Sequence, residues 1–298
     1  MTPSPSFSGD EDALGAAVSE AATSREIAAD IGAEVPPQQL IFSLFGLYSR
    51  TQDGWLSSAA IVRLGRELGI EEPLTRSAVS RMKRRGFVRS SKRAGRAGYE
   101  LTPSSVRIIL DGDKHVFGRG RALPEDSWVV VGFSVPEHQR ERRHRIRTAL
   151  IRLGFGTVSP GMWIAPAHLE RETQAALHSL GVTDYVDIFR AQFVAVGDPR
   201  EKVASWWDLD ALTGMYATFI DRFTPADERH QPNDVDPAAA FRDYVPMLAT
   251  WRRLPYLDPG LPLALLPSPW AGSIAEDLFS RLDQKLRGPA ETYALSML

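Results

Sequence analysis

Between Glu71 and Leu101 the chain strings together an acid-proline helix start, a basic amphipathic segment, and two short extended runs around a basic, glycine-containing tip. Few folds accommodate that order. Glu71, Glu72 and Pro73 open a helix, because carboxylates suit the positive end of the helix dipole and proline is tolerated in a first turn. The helix is expected to run to Arg85 and stop at Gly86. Its apolar side is Leu74, Ala78, Val79 and Met82; its other faces show Arg76, Ser77, Ser80, Arg81, Lys83, Arg84 and Arg85. Phe87-Val88 begins an extended run, a tip from Ser90 to Gly98 carries Lys92, Arg93 and Arg96, and Tyr99-Glu100-Leu101 returns. Upstream, Leu40, Ile41, Leu44, Phe45 and Tyr48 form a helical stripe from Gln38 to Ser49. A second helix, capped by Ser57 or Ser58, points Ile61, Leu64 and Leu68 inward and closes at Gly69. Three helices followed by a basic two-stranded ribbon make a winged helix-turn-helix, read over 36–120 once the helix starting at Thr102-Pro103 is included.

Charge agrees with that reading. From Pro36 to Arg121 sixteen Lys and Arg stand against seven Asp and Glu, whereas the whole chain is at −2. A segment so basic inside a mildly acidic chain points to a polyanionic partner, here double-stranded DNA. Base reading needs donors on the exposed face of the third helix, which Arg76, Ser77, Ser80, Arg81 and Arg84 supply. Lys92, Arg93 and Arg96 are placed to meet phosphate or the minor groove. The acidic segment 1–35 reads as a mostly disordered tail with one weakly spaced helix. It lacks a basic region followed by an apolar run, no stretch approaches the roughly 18 apolar residues of a membrane span, and there is no cysteine. A cytoplasmic protein is expected, and thirty Arg against five Lys suggests a high-GC bacterial source.

Beyond the linker Gly118 to Asp126, the apolar run Trp128 to Val135 reads as a buried strand and the Arg-rich stretch Glu137 to Leu153 as a helix. Phe155 to Val158 and Met162 to Ala165 read as strands about a Ser159-Pro160-Gly161 turn. A helix from His168 to Leu180 and a strand from Tyr185 to Phe189, extended toward Val196, complete the order βαββαβ. That order is ferredoxin-like, so the chain is α+β, with 121–198 a middle domain suited to dimerisation. The remainder, 199–298, is expected to be a helical domain. Trp206, Trp207, Leu212, Met215, Tyr216, Phe219 and Phe223 form an apolar stripe there, 225–237 is a polar loop, and helices run from Phe241 to Arg253 and from Ile274 to Leu286.

With these residues in view, the chain resembles the PaaX family of repressors over roughly Gln38 to Leu298. Three blocks carry the resemblance. The first is Thr75 to Met82 with Arg84-Arg85-Gly86-Phe87-Val88. The second is Trp128 to Pro136 with Leu153-Gly154-Phe155-Gly156 and Pro160-Gly161-Met162-Trp163. The third, the most distinctive, is Asp258-Pro259-Gly260-Leu261-Pro262 with Leu265-Leu266-Pro267 and Trp270-Ala271-Gly272. The resemblance implies a homodimeric repressor of a catabolic operon that an acyl- or aryl-CoA thioester releases from its operator. The aromatic wall of Trp206, Trp207, Tyr216, Trp251, Tyr256 and Trp270, with Arg252 and Arg253 for an anionic group, supplies the effector-site expectation: Trp207, Trp251, Arg252, Arg253 and Trp270. Where a His-Glu pair is expected before the aromatic-Arg-Arg step, this chain has Ala249-Thr250, which leaves the effector's identity open.

Two other functions compete. A ferredoxin-like metal-dependent nuclease needs a carboxylate at the end of the first sheet strand, where this chain has Ser134, a poor ligand for a hard divalent cation. An RNA-binding protein would stack bases on aromatics such as Phe133, Phe155 and Trp163, which lie in strongly apolar contexts. His138 and His144 lack metal-ligand spacing, and no nucleophile elbow or phosphate-binding Gly-Lys-Ser/Thr loop is present. No catalytic residue, metal or cofactor is therefore expected.

Overall fold

A computed structural model describes residues 34–117, 120–231, 234–254 and 257–298. The expected tail lies outside the described residues up to position 33, as does Tyr256. The described chain packs as two compact units that interleave along the sequence. One gathers 34–116, Tyr216–Arg253 and Ser273–Leu298; the other gathers Phe117–Met215 and Leu254–Gly272.

The first unit opens with α1 (Pro37–Tyr48), β1 (Trp55–Ser57), α2 (Ser58–Glu67) and α3 (Glu72–Arg84), then β2 (Val88–Arg93), β3 (Arg96–Leu101) and α4 (Pro103–Phe117). Its antiparallel sheet has the order β1-β3-β2. The sequence reading lacked β1, because Trp55-Leu56-Ser57 is too short to show alternation; it exists by pairing with Glu100, Tyr99 and Gly98. Ile41, Leu44, Phe45, Ala60, Leu64 and Ala78 are fully buried, so the stripes of the three helices meet in one core.

The second unit holds β4 (Trp128–Phe133), α5 (Arg140–Arg152), β5 (Gly156–Ser159), β6 (Met162–Pro166), α6 (Glu170–Ser179) and β7 (Val186–Ala191). The sheet order β5-β6-β4-β7, antiparallel throughout, is the ferredoxin-like arrangement. Val129, Val131, Trp163 and Ala165 face Ile146, Leu150 and Leu177 of the two helices. Strand β7 stops at Ala191 rather than continuing toward Val196, because Ala191 already pairs with Trp128, the first residue of β4. On the far side of the sheet, α7 (Pro199–Trp206) is followed by Trp207, whose Nε1 donates to the Gly154 carbonyl at 2.8 Å.

The C-terminal helices are α8 (Leu209–Arg229), α9 (Pro237–Trp251) and α10 (Ala271–Ser296). The expected loop from Pro225 begins only after Arg229, and the last helix is longer at both ends than Ile274 to Leu286. Proline inside a helix removes one backbone bond and costs about 3 kcal/mol. Around Pro225 the buried rings of Phe219 and Phe223 and the buried Ala226 offset that loss; around Pro289, Leu286, Ala290 and Ala294 do so at zero exposure. Trp206 ends α7 and so does not share the stripe of α8.

Candidate nucleic-acid interface

The winged-helix part of the first unit is built around a close helix crossing. Ser57 caps α2 by accepting the Ala60 N–H at 3.1 Å, and Gly69, with φ of 75°, turns the chain so that Ile70 N–H reaches the Gly65 carbonyl at 2.9 Å. A Cβ at Gly65 would lie 2.7 Å from Thr75 Oγ1, so glycine lets α2 and α3 approach. Thr75 itself is 1% exposed and takes the inward place expected of Leu74, which is 50% exposed. One residue of helical phase, about 100°, accounts for the exchange, and it puts an apolar side chain at the outer start of α3.

On α3 the donors are ordered unequally. Arg76 is held by Glu72 one turn earlier, its Nε and Nη2 donating to the same carboxylate oxygen at 2.8 and 2.6 Å. Arg81 donates from Nε to Gln38 Oε1 of α1 at 3.1 Å and from Nη1 to Ser77 Oγ at 2.7 Å. Ser80 and Arg84 are exposed. The Arg84 side chain makes no hydrogen bond or ion pair among the described residues.

The wing differs from its expected form. Strands β2 and β3 pair continuously from Val88↔Leu101 to Arg93↔Arg96, leaving only Ala94-Gly95 as the tip. Both have positive φ, 47° and 76°, the geometry of a tight hairpin whose twist matches its strands. Gly98 is therefore not at the tip: it lies in the central strand, where a Cβ would sit 2.4 Å from the Leu56 carbonyl and 2.5 Å from the Trp55 ring. The base of the wing is fastened to the end of α3 by Thr102 Oγ1, donating to the Gly86 carbonyl at 2.7 Å, and by Ser105 Oγ, donating to the Phe87 carbonyl at 2.8 Å.

Of the wing cations, Lys92 is exposed. Arg93 turns back, donating to the Gln52 and Asp53 carbonyls and to Glu100 at 3.2 Å each, with its guanidinium over the Trp55 ring. Arg96 donates to the Leu298 backbone oxygen at 2.8 Å, and Arg63 of α2 donates to the neighbouring Met297 carbonyl. Glu100 is the acidic centre of the wing. Its hydrogen bond from Arg89, and then that from Arg93, hold its carboxyl below the usual carboxylate range despite some desolvation.

The residues expected to form an effector site fall in both units. Trp251 stacks on Phe279 at 4.5 Å, contacts Phe219 at 5.1 Å and is 6% exposed. Next to it, Arg252 donates to Asp113 of α4 at 3.5 Å and lies over Gly46 of α1, whose Cβ would meet it at 3.2 Å. Arg253 is half-buried. In the other unit, Trp207 covers Gly156, and Trp270 lies against the Arg121 guanidinium. That guanidinium pairs with Asp258 at 2.7 Å, and Gly272 leaves room for Trp270 Nε1, which a Cβ would approach to 2.3 Å. The distinctive Pro-containing blocks thus clasp Arg121: Asp258 also accepts the Gly260 N–H, and Gly260 accepts that of Ala122.

Among the described residues, no three His, Cys, Asp or Glu side chains gather as a metal site, and no helix is long and apolar enough to cross a membrane. Trp163 and Phe155, considered for base stacking, are buried in the core of the second unit.

The comparisons follow the same division of the chain. Family models match in order: PaaX-like protein over 37–105, PaaX protein central Cas2-like domain over 122–203, and PaaX-like protein C-terminal domain over 207–296. The transcriptional repressor PaaX of Escherichia coli (strain K12) is 28% identical over 254 residues, which span 83% of this chain and 79% of that one. Among solved structures, the uncharacterized protein Rv0674 from Mycobacterium tuberculosis shares the fold, with a TM-score of 0.59 at 20% identity over 85% of this chain and 97% of that one. A winged helix-turn-helix, a Cas2-like sheet and a helical C-terminal part, matched over most of the chain to a transcriptional repressor, mark a transcriptional regulator. The chain belongs to the PaaX family of such regulators.

Proposed function

We propose that this protein represses transcription by binding a duplex operator sequence-specifically through α3, as a homodimer, and that an acyl- or aryl-CoA-type effector releases it. The observation that carries the reading is the state of Arg81. Its half-buried side chain is oriented by Gln38 and Ser77 on the flank of a helix whose inner face is buried. A donor fork fixed before contact loses less entropy when it pairs with a base edge than a freely rotating one. Exposed Ser77, Ser80 and Arg84 extend the donor row, and Lys92 beside the two-residue tip serves phosphate. Leu74 adds an apolar surface suited to a thymine methyl.

One winged helix reads only a few base pairs, so two copies on an inverted repeat supply both affinity and specificity. For the effector, Arg252 gives a physical route: it joins α9 to α4 and α1 of the reader unit, so an anion drawing it away changes what α1 packs against.

Sequencing the DNA bound by the protein in cells, followed by a shift assay of that duplex against single-stranded RNA, tests the reading. A preferred imperfect palindrome, bound at twice the chain mass by light scattering, supports it; equal binding of RNA, or a monomer on an asymmetric site, contradicts it. Tryptophan fluorescence titration with CoA thioesters and free aromatic acids, with operator release as second readout, tests the effector. If neither signal moves for metabolites of the pathway encoded beside this gene, a ligand-independent repressor replaces it.

A further inference from the structure

The DNA-reading assignment leaves unexplained the most basic helix of the chain, which lies in the ferredoxin-like unit. Helix α5 (Arg140–Arg152) carries six arginines and one histidine against a single glutamate, although its surrounding segment is nearly neutral. Its apolar residues Ile146 and Leu150 are at zero exposure in the sheet core. Arg140, Arg142, His144, Arg145 and Arg147 are all exposed.

Among the described residues these cations are mostly without acidic partners. On other elements many exposed arginines are matched by acids, Arg89 with Glu100, Arg190 with Glu170, Arg229 with Asp243, Arg281 with Asp227 and Arg287 with Asp283, although Arg84 and Arg171 are not. On α5 only Arg143 has an acid, Glu137 at 3.1 Å. Arg142 and Arg147 lie over the rings of Tyr185 and Trp163, which orient them without neutralising them. Arg140, Arg145 and Arg152 make no ion pair or side-chain hydrogen bond among the described residues. Like charges one turn apart, such as Arg142 and Arg145, destabilise a helix, so an anionic partner would relieve a repulsion already built in.

We infer that α5 is a second, sequence-independent DNA surface that holds the phosphate backbone of a duplex. At 1.5 Å per residue the helix from Arg140 to Arg152 is about 18 Å long, the rise of about five nucleotide steps along one strand. Guanidinium forks match phosphate oxygens in pairs, and arginines spread over the solvent side of one helix suit a polyanionic strand laid along it. A membrane or an acidic amphipathic peptide would need an apolar outer stripe. The outer side of α5 offers only Ile151, at 38% exposure.

The test is binding of the full chain to a random-sequence 40-base-pair duplex between 50 and 300 mM salt. It compares the wild type, R140E/R145E, R140K/R145K and the reader variant R76A/R81A/R84A, with folding checked by circular dichroism. Loss of two phosphate contacts lowers the salt slope by about two, and R140E/R145E should bind at least about tenfold more weakly at 100 mM. The lysine pair should keep the wild-type slope, and the reader variant should keep binding that R140E/R145E abolishes when combined with it. Three results overturn the inference: equal slopes for wild type and R140E/R145E, no random-duplex binding by the reader variant, or α5-dependent binding to phosphatidylserine vesicles in place of DNA. A reader variant that keeps its operator preference would sink the α3 assignment and leave this one standing.

Discussion

Gln38, in the first turn of α1, accepts a hydrogen bond at 3.1 Å from Nε of Arg81 on α3, forty-three residues later. A residue of α1 thereby sets the direction of the α3 side chain proposed to read a base. Replacing Arg81 by alanine should cost roughly 1–3 kcal/mol of operator binding and relax preference at one base position. Gln38→Ala should weaken operator binding by a smaller factor and leave the salt slope unchanged, since it removes no cation. Fluorescence anisotropy on operator and single-substituted duplexes separates the two; a changed slope for Gln38→Ala would mean that Arg81 meets phosphate.

The Gly65–Thr75 crossing gives a stability prediction. Gly65→Ala places a methyl 2.7 Å from an oxygen that cannot withdraw, because Thr75 is 1% exposed. Overpacking of this kind costs typically 1–3 kcal/mol, read as a lower urea midpoint. Thr75→Ala removes the obstructing oxygen, so the double variant should recover part of the loss. Additive losses would show that the crossing is not the cause.

Gly98→Ala is expected to act on the wing alone. Its Cβ would meet the Leu56 carbonyl at 2.4 Å, a backbone atom, so β1 must part from β3. Faster hydrogen exchange should appear at Trp55–Ser57 and Arg96–Leu101, with α1 to α3 protected as before. Uniform loss of protection would instead show that the wing and the helices open together.

Glu100 supplies a pH prediction. Its folded pKa is depressed, chiefly by the hydrogen bond from Arg89. Its stabilising effect is therefore complete above the ordinary carboxylate range and is lost as pH falls through the lower folded value. Acid titration should loosen the wing before the helices, and Glu100→Gln should remove that early step. The same variant leaves Arg89 and Arg93 less neutralised, so random-duplex affinity should rise several-fold. Unchanged affinity would mean that both arginines point away from bound DNA.

Much of this arrangement is legible in the sequence because local signals agree there. The α3 segment has its acids, proline, periodicity and terminal Gly86 in register, and the βαββαβ order follows from apolar runs bounded by proline and glycine. What escaped depends on distant partners. Trp55-Leu56-Ser57 becomes a strand only because β3 lies beside it, and Gly98 reads as a tip until Trp55 is seen to cover it. Pro225 reads as the start of a loop because the burial that outweighs it is tertiary. The aromatic residues of the C-terminal part share a composition that suits either a ligand wall or a core, and sequence does not distinguish these. Trp251 in fact stacks on Phe279 within one unit, while Trp207 and Trp270 pack within the other.

The central claim, that α3 reads DNA sequence, is tested most directly by one ratio: affinity for the operator recovered from cells over affinity for a random duplex of equal length. For the wild type at physiological salt this ratio should be on the order of a thousand or more. For the folded R76A/R81A/R84A variant it should collapse toward one. A ratio unchanged by the triple substitution would contradict the claim and move sequence recognition to another surface of the molecule.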